Sequence, residues 1–353
     1  MKLEDLAEAL VTTQLRRPVI VIAILAVVTL ALIPGMLNLT VKPSTEAILP
    51  TDDPAVENLD TLRSKFYGDT TYIVFEARDV RNQELLTSLQ RISNRLTAHE
   101  DILSTQIPAS QALQEHDSIP DETRLKQVDY GAYLSDDYST GVMAVQADTQ
   151  AQAPSIRSVH DHVQDVFESE LPNTAYSLTG YNMIDLATFQ VIMNDFATIT
   201  VFSFAAVLTT LYLIFRTIKK MLLPLTPVML ALVWMLGIGG YLGVNLTIIS
   251  MVSAAMIMGL GIDFGIHVTK HYYNTSGTQQ DLITTMRELT RGLLGGALTT
   301  SVGFLSLLFA TLAGMHGLGL FLFTGILSAY IGAVALLPTI IILTEPQLQG
   351  GTQ

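Results

Sequence analysis

The chain has 353 residues, 49% hydrophobic and only 14% charged, whereas an average soluble protein has roughly 25% charged residues. Its net charge is −13 and it contains no cysteine, which excludes disulfides and thiolate metal sites and disfavours nucleic acid or anionic lipid headgroups as partners. The redox compartment stays unread.

Residues 1–17 open the chain as an amphipathic helix. Over 2–15, Leu3, Leu6, Leu10 and Val11 share one face, with Glu4, Asp5 and Glu8 elsewhere. Such a helix fits the inner surface of a membrane, although a plain connector fits the pattern equally well. Arg16 and Arg17 precede the apolar run 18–38, which is longer than a signal-peptide core and has no clear small-residue cleavage site. It reads as an uncleaved first transmembrane helix.

Residues 39–195 carry 25 acidic against 10 basic side chains, and the rest of the chain 7 against 9, so the acidity belongs to this segment alone. Thr70 to Ala77 is rich in β-branched and aromatic residues and predicts a strand. Asn82 to Ala98 has helical spacing at Leu85, Leu86, Leu89, Ile92 and Leu96, and Ile102 to Ile107 predicts the next strand. The unit recurs as a strand at Gly141 to Ala147, a helix at Ser155 to Leu171 and a strand at Ala175 to Thr179. Two β-α-β units in series predict a ferredoxin-like α/β sandwich. Pro108 to Tyr138 is polar and acidic and reads as a solvated loop or helical insertion. His160 and His162 lie at i and i+2 of a predicted helix, which do not share a face, so they read as surface histidines and no metal site is expected.

Residues 196–344 hold almost all the remaining apolar sequence: Phe196 to Phe215, Leu222 to Gly243, Leu246 to Thr269, and Gly292 to Thr344. A spanning helix needs roughly 20 apolar residues. The last stretch is long enough for two, with a break expected at Gly314 to Gly317, giving six spans. An amphipathic helix is expected within 276–290, with Leu282, Met286 and Leu289 together, and residues 345–353 form a tail. Arg16, Arg17, Arg216, Lys219, Lys220, Lys270, Arg287 and Arg291 fall on one side if the acidic domain lies on the other. The expected placement is the cell (plasma or inner) membrane, with both termini, the 1–17 and 276–290 helices and the tail cytoplasmic and the 39–195 domain external or periplasmic.

Asp263, within Gly259-Leu-Gly-Ile-Asp-Phe-Gly-Ile-His267, is the only acid in the interior of a span. Burying a carboxylate in hydrocarbon costs about 2.5–3.5 kcal/mol even on lenient scales, and such residues commonly carry protons or ions. His267 follows at i+4 on the same helix face and forms a candidate proton-relay pair with Asp263. The alternative is a static Asp263 hydrogen-bonded to Thr299, Thr300 or Ser301 of the fifth span, and the same hydroxyls are possible relay partners. Gly261 and Gly265, with Gly259 beside them, make a small-residue step that predicts close helix packing around the charge, and Gly239 and Gly243 form a second. His316 falls in an external turn with no chemistry assigned to it.

One anchor helix, a large external domain and five further spans resemble the half-repeat of the resistance-nodulation-division superfamily. Gly259-Leu-Gly-Ile-Asp263-Phe264 is similar to the fourth-span signature of mycobacterial-type lipid (MMPL) and hopanoid exporters, and Leu298-Thr-Thr-Ser-Val-Gly-Phe304 to the fifth-span motif. Ser177 to Gly180, ahead of the lead into span two, is similar as well. The resemblance covers essentially the whole chain. It implies a proton-motive-force-driven exporter of lipids or other hydrophobic or amphiphilic compounds, with Asp263 as the relay carboxylate and residues 39–195 as a porter-like domain. Because the family's usual twelve spans are halved here, it also implies a homodimer with two fourth spans face to face. A lipid sensor or scaffold of the sterol-sensing kind and a protein-translocation accessory of the SecD/SecF kind are the competing readings. No nucleophile–base pair points to an enzyme and no motif to a cofactor.

Overall fold

The structure, a computed structural model, describes residues 3–42, 48–50, 69–108, 119, 122–127, 130–149, 153–345 and 348, with isolated positions 53, 54, 56, 58, 61 and 110. Part of the expected insertion at 108–138 and most of the tail at 345–353 lie outside the described residues. The chain divides into two compact units, one holding Pro50–Ile192 and the other Met1–Val41 with Met193–Gln353.

In the first unit, β1 (Asp69–Glu76), α3 (Gln83–Leu96), β2 (Ile102–Gln106), β3 (Thr140–Ala147), α4 (Ala153–Glu170) and β4 (Tyr176–Gly180) follow one another. The sheet order is β2-β3-β1-β4 with every neighbour antiparallel. Each β-α-β unit therefore has a strand of the other inserted between its own two, the interleaving of a ferredoxin-like sandwich. Period-2 alternation in β1 turns Ile73 and Phe75 inward, where they meet Leu86, Leu89, Ile92 and Leu96 of α3 and Val163 and Phe167 of α4. Asn82 starts α3 by accepting hydrogen bonds from the Glu84 and Leu85 amides at 2.9 and 3.2 Å.

The second unit is helical: α1 (Leu3–Arg16), α2 (Pro18–Leu37), α5 (Tyr181–Phe215, entering from the first unit), α6 (Leu225–Tyr241), α7 (Ser253–Tyr273), α8 (Gln279–Leu305), α9 (Ala313–Ile331) and α10 (Leu337–Thr344). Six helical stretches are long and apolar enough to cross a membrane: Pro18–Leu37, Tyr181–Phe215, Ile218–Tyr241, Ile248–Tyr273, Gln279–Phe309 and Ala313–Thr344. They are spans one to six below. Spans one and three cross closely at Gly35 and Gly237, where a Cβ on Gly237 would lie 2.5 Å from the Leu32 carbonyl oxygen. Trp234 Nε1 donates to Thr29 Oγ1 at 2.8 Å across the same crossing.

Three local expectations are corrected. The break between spans five and six falls at Ala310–Leu312, ahead of Gly314 to Gly317. Those glycines lie inside α9, where Gly314 packs against Ile48 and Ile249 and Gly317 against Val244, and His316 Nε2 lies 2.7 Å from the Ala310 carbonyl. The amphipathic stretch 276–290 is no separate helix. A Thr278–Asp281 capping box starts one continuous helix to Leu305, and its Leu282 and Met286 are buried in the bundle. The face of α1 bearing Val11 packs on the same residues and on Leu337 and Ile341, so protein covers it.

Candidate functional site

Asp263 lies at the midpoint of the 21-residue α7. Helical periodicity splits α7 into two faces. Ile257, Gly261, Gly265 and Val268 are buried against the chain's own bundle, whereas Gly259, Leu260, Asp263, His267 and Lys270 are exposed. Among the described residues, neither Asp263 nor His267 makes a side-chain hydrogen bond or ion pair. A carboxylate at mid-span thus sits on the outside of the helical bundle, with His267 one turn along the same face.

The glycines around it do two different jobs. A Cβ on Gly261 would lie 3.2 Å from Ala329 Cβ of span six, and one on Gly265 would lie 2.6 Å from the Pro224 carbonyl oxygen at the start of span three. Tight packing therefore occurs inside the chain's own bundle, on the face opposite Asp263, and not around the charge as the spacing predicts. Gly259 shares the Asp263 face, and a Cβ there would meet nothing within 4 Å.

The fifth span beside it is similarly open. Gly292, Gly295, Gly296 and Gly303 each have empty space where a Cβ would stand. Thr299 Oγ1 donates to its own helix, to the Gly295 and Gly296 carbonyls at 2.9 and 3.0 Å. Ser301 is fully buried, and its hydroxyl has no partner among the described residues. Thr300 is half-buried. No hydrogen bond joins Asp263 to any of these three within one chain.

One end of the bundle is tied by charge. Lys219 Nζ donates to the Thr344 carbonyl at 2.9 Å and to Glu345 Oε1 at 3.2 Å, and Tyr273 Oη donates to the same Glu345 oxygen at 2.8 Å. The Lys220 ammonium lies 4.1 Å from the centre of the Tyr273 ring. Burial pushes the Glu345 carboxyl up, but the Tyr273 and Lys219 hydrogen bonds and the Lys219 and Lys220 charges outweigh it and hold the pKa below the ordinary 4.5. His271 bridges to Thr285 at 3.0 Å and Glu288 at 3.3 Å, and Arg287 pairs with Glu8 at 3.5 Å. This end gathers the α1 helix, the start of span three, the end of span four, the start of span five and the end of span six.

In the other unit, His160 lies 3.0 Å from Asp161. The His162 ring packs at a tilt against His99 with centroids 4.8 Å apart, so the two histidines of α4 turn to different partners.

The model of the MMPL family matches residues 47–347. A protein of Methanocaldococcus jannaschii named only as a membrane protein, MJ1562, is 24% identical over 96% of this chain and 95% of its own length. A Mycobacterium tuberculosis protein named as a transport protein, MmpL12, is 30% identical over 43% of this chain, which amounts to 14% of that much larger protein. The six apolar helices and the relative matched end to end make the chain a multi-pass membrane protein.

Proposed function

We propose, from the premise that the chain belongs to the MMPL family, that it is a transporter rather than an enzyme, exporting lipids or other hydrophobic compounds at the expense of the proton gradient. The observation that carries this reading is Asp263, a carboxylate at mid-span on the uncovered face of the bundle. Left against lipid, its charged form costs about 2.5–3.5 kcal/mol or more, so the face needs a protein or aqueous cover. A second copy provides it. Two fourth spans facing each other across a two-fold axis would bring both Asp263 carboxylates into one protein-lined seam, with Gly259 and the open glycines of span five allowing close approach.

In that seam protonation becomes a mechanical signal. The neutral acid tolerates a dry, closed arrangement, whereas the carboxylate demands water or a cation. Each proton taken up and released therefore shifts the balance between two packings of the helices. His267, one turn along the same face, is placed to pass the proton toward the Lys270 end. The gathering of Lys219, Lys220, His271 and Arg287 at one end supports a cytoplasmic location for that end, and with it an external or periplasmic porter domain.

The test is export from proteoliposomes under an imposed pH gradient, with a panel of fluorescent lipids and hydrophobic dyes, comparing the native protein with Asp263→Asn. Gradient-driven transport lost in the variant is the expected result. Equal transport by both would remove Asp263 from the coupling mechanism.

A further inference from the structure

The sixth span is interrupted by a π-helical segment, Gly332–Leu336, in which the Leu337 amide reaches back five residues to the Gly332 carbonyl. The next residue is Pro338. In an α-helix the Val334 carbonyl would be bonded by the amide of residue 338, and proline has none. A carbonyl left without a donor at membrane depth is costly, so the sequence creates a vacancy that something must fill.

Gln14 fills it from 320 positions away in the chain. Its Nε2 donates to the Val334 carbonyl at 3.1 Å and to the Ala335 carbonyl at 3.2 Å. The side chain is fully buried, and its Oε1 has no partner among the described residues. The amide thus acts here as a donor, with its acceptor oxygen unmet among the described residues. Val11 and Ala7, buried one and two turns earlier in α1, hold the helix in place.

The half of span six just before the π segment is what touches the Asp263 turn. Ala329 faces Gly261, and the Tyr330 ring meets Phe264 edge-on at 6.5 Å. These contacts lie on the inner face of span four, at residues that flank Asp263 in sequence. Gly332 is itself pressed against Pro227, where a Cβ would lie 2.8 Å from the Pro227 Cα.

We infer that Gln14 is a positioning residue for the Asp263 site: by donating the hydrogen bond that Pro338 removes, it holds the π segment and so sets the register of Ala329 and Tyr330 against span four. The bond itself stands apart from the exporter reading. Its consequence for transport rests on that reading.

The chain contains no cysteine, so a pair can report this register without background. Gly261→Cys with Ala329→Cys places two thiol-bearing carbons near the ~3.5–4.5 Å separation that a disulfide needs. Oxidation in native membranes should cross-link the pair readily. Adding Gln14→Leu should slow cross-linking about tenfold, the shift expected when a buried acceptor loses its donor. Adding Pro338→Ala on top should restore it, because residue 338 then supplies its own amide to Val334. If Gln14→Leu alone fails to accumulate, recovery of folded protein by Pro338→Ala reads the same bond. Native cross-linking in Gln14→Leu would overturn the inference, and so would a slow rate that Pro338→Ala leaves unchanged, since that marks Gln14 as packing only. Export, measured without the cysteine pair, should fall with Gln14→Leu and recover with Pro338→Ala. A register shift with undiminished export would sever the link to Asp263. Because cross-linking needs no substrate, its failure leaves the exporter reading standing, and a failed export assay leaves the register result standing.

Discussion

Gly265→Ala and Gly259→Ala make the same chemical change six residues apart on one helix, and the structure assigns them opposite outcomes. At Gly265 the new methyl would meet the Pro224 carbonyl oxygen at 2.6 Å, its Cα at 2.7 Å and its carbonyl carbon at 3.1 Å. All three are main-chain atoms, so no side chain can rotate away and spans three and four must separate. Overpacking of this kind costs about 1–3 kcal/mol. At Gly259 the methyl meets open space. The helix-propensity gain of about 1 kcal/mol applies at both positions and cancels in the comparison. Gly265→Ala should therefore be less stable than Gly259→Ala by about 1–3 kcal/mol, read from reversible unfolding in mixed micelles with a denaturing detergent. Equal stabilities, or a greater loss at Gly259, would refute the assignment of inner and outer faces on which the reading of Asp263 depends.

The outer face gives a second prediction. Gly259→Leu and Gly296→Leu should lower the fraction of dimer cross-linked in membranes while leaving protomer unfolding unchanged, and an undiminished dimer yield would place the seam elsewhere. At the charged end, the folded-state pKa of Glu345 is depressed, so its contribution is fully present above the unfolded value of 4.5 and is lost as pH falls through the folded value. Unfolding followed downward through that range should show a loss of stability that Glu345→Gln abolishes. A pH dependence identical in the variant would mean that the carboxylate is not what ties Lys219 and Tyr273 together.

Much of this fold is legible in the residues because each element has a local cause. β-branched and aromatic runs at Thr70 to Ala77 and Gly141 to Ala147 became β1 and β3 within a residue or two, and the leucine spacing after Asn82 became α3. Glycine is the residue whose role the local pattern does not decide. Gly314 to Gly317 looked like a turn, but inside a membrane glycine more often marks close helix contact, and here it receives Ile48, Ile249 and Val244. Gly261 and Gly265 looked like a contact around Asp263, although a two-residue offset turns Gly261 to the opposite face. Gln14 was missed because its partner lies 320 positions away. The available signal was Pro338, which in the interior of a continuous span removes the amide that would bond the carbonyl four residues back. Asp263 itself was legible as the one acid at mid-span. That it points away from its own bundle is a property of packing, which no local pattern encodes.

Proton movement measured together with cargo movement tests the role of Asp263 most directly. With a pH-sensitive dye sealed inside proteoliposomes and a transported fluorescent lipid supplied, the native protein should show proton flux that starts with lipid export and stops when it stops. Asp263→Asn should show neither, while still reaching the membrane folded and dimeric. Proton flux and export both persisting in Asp263→Asn would contradict a relay at this carboxylate.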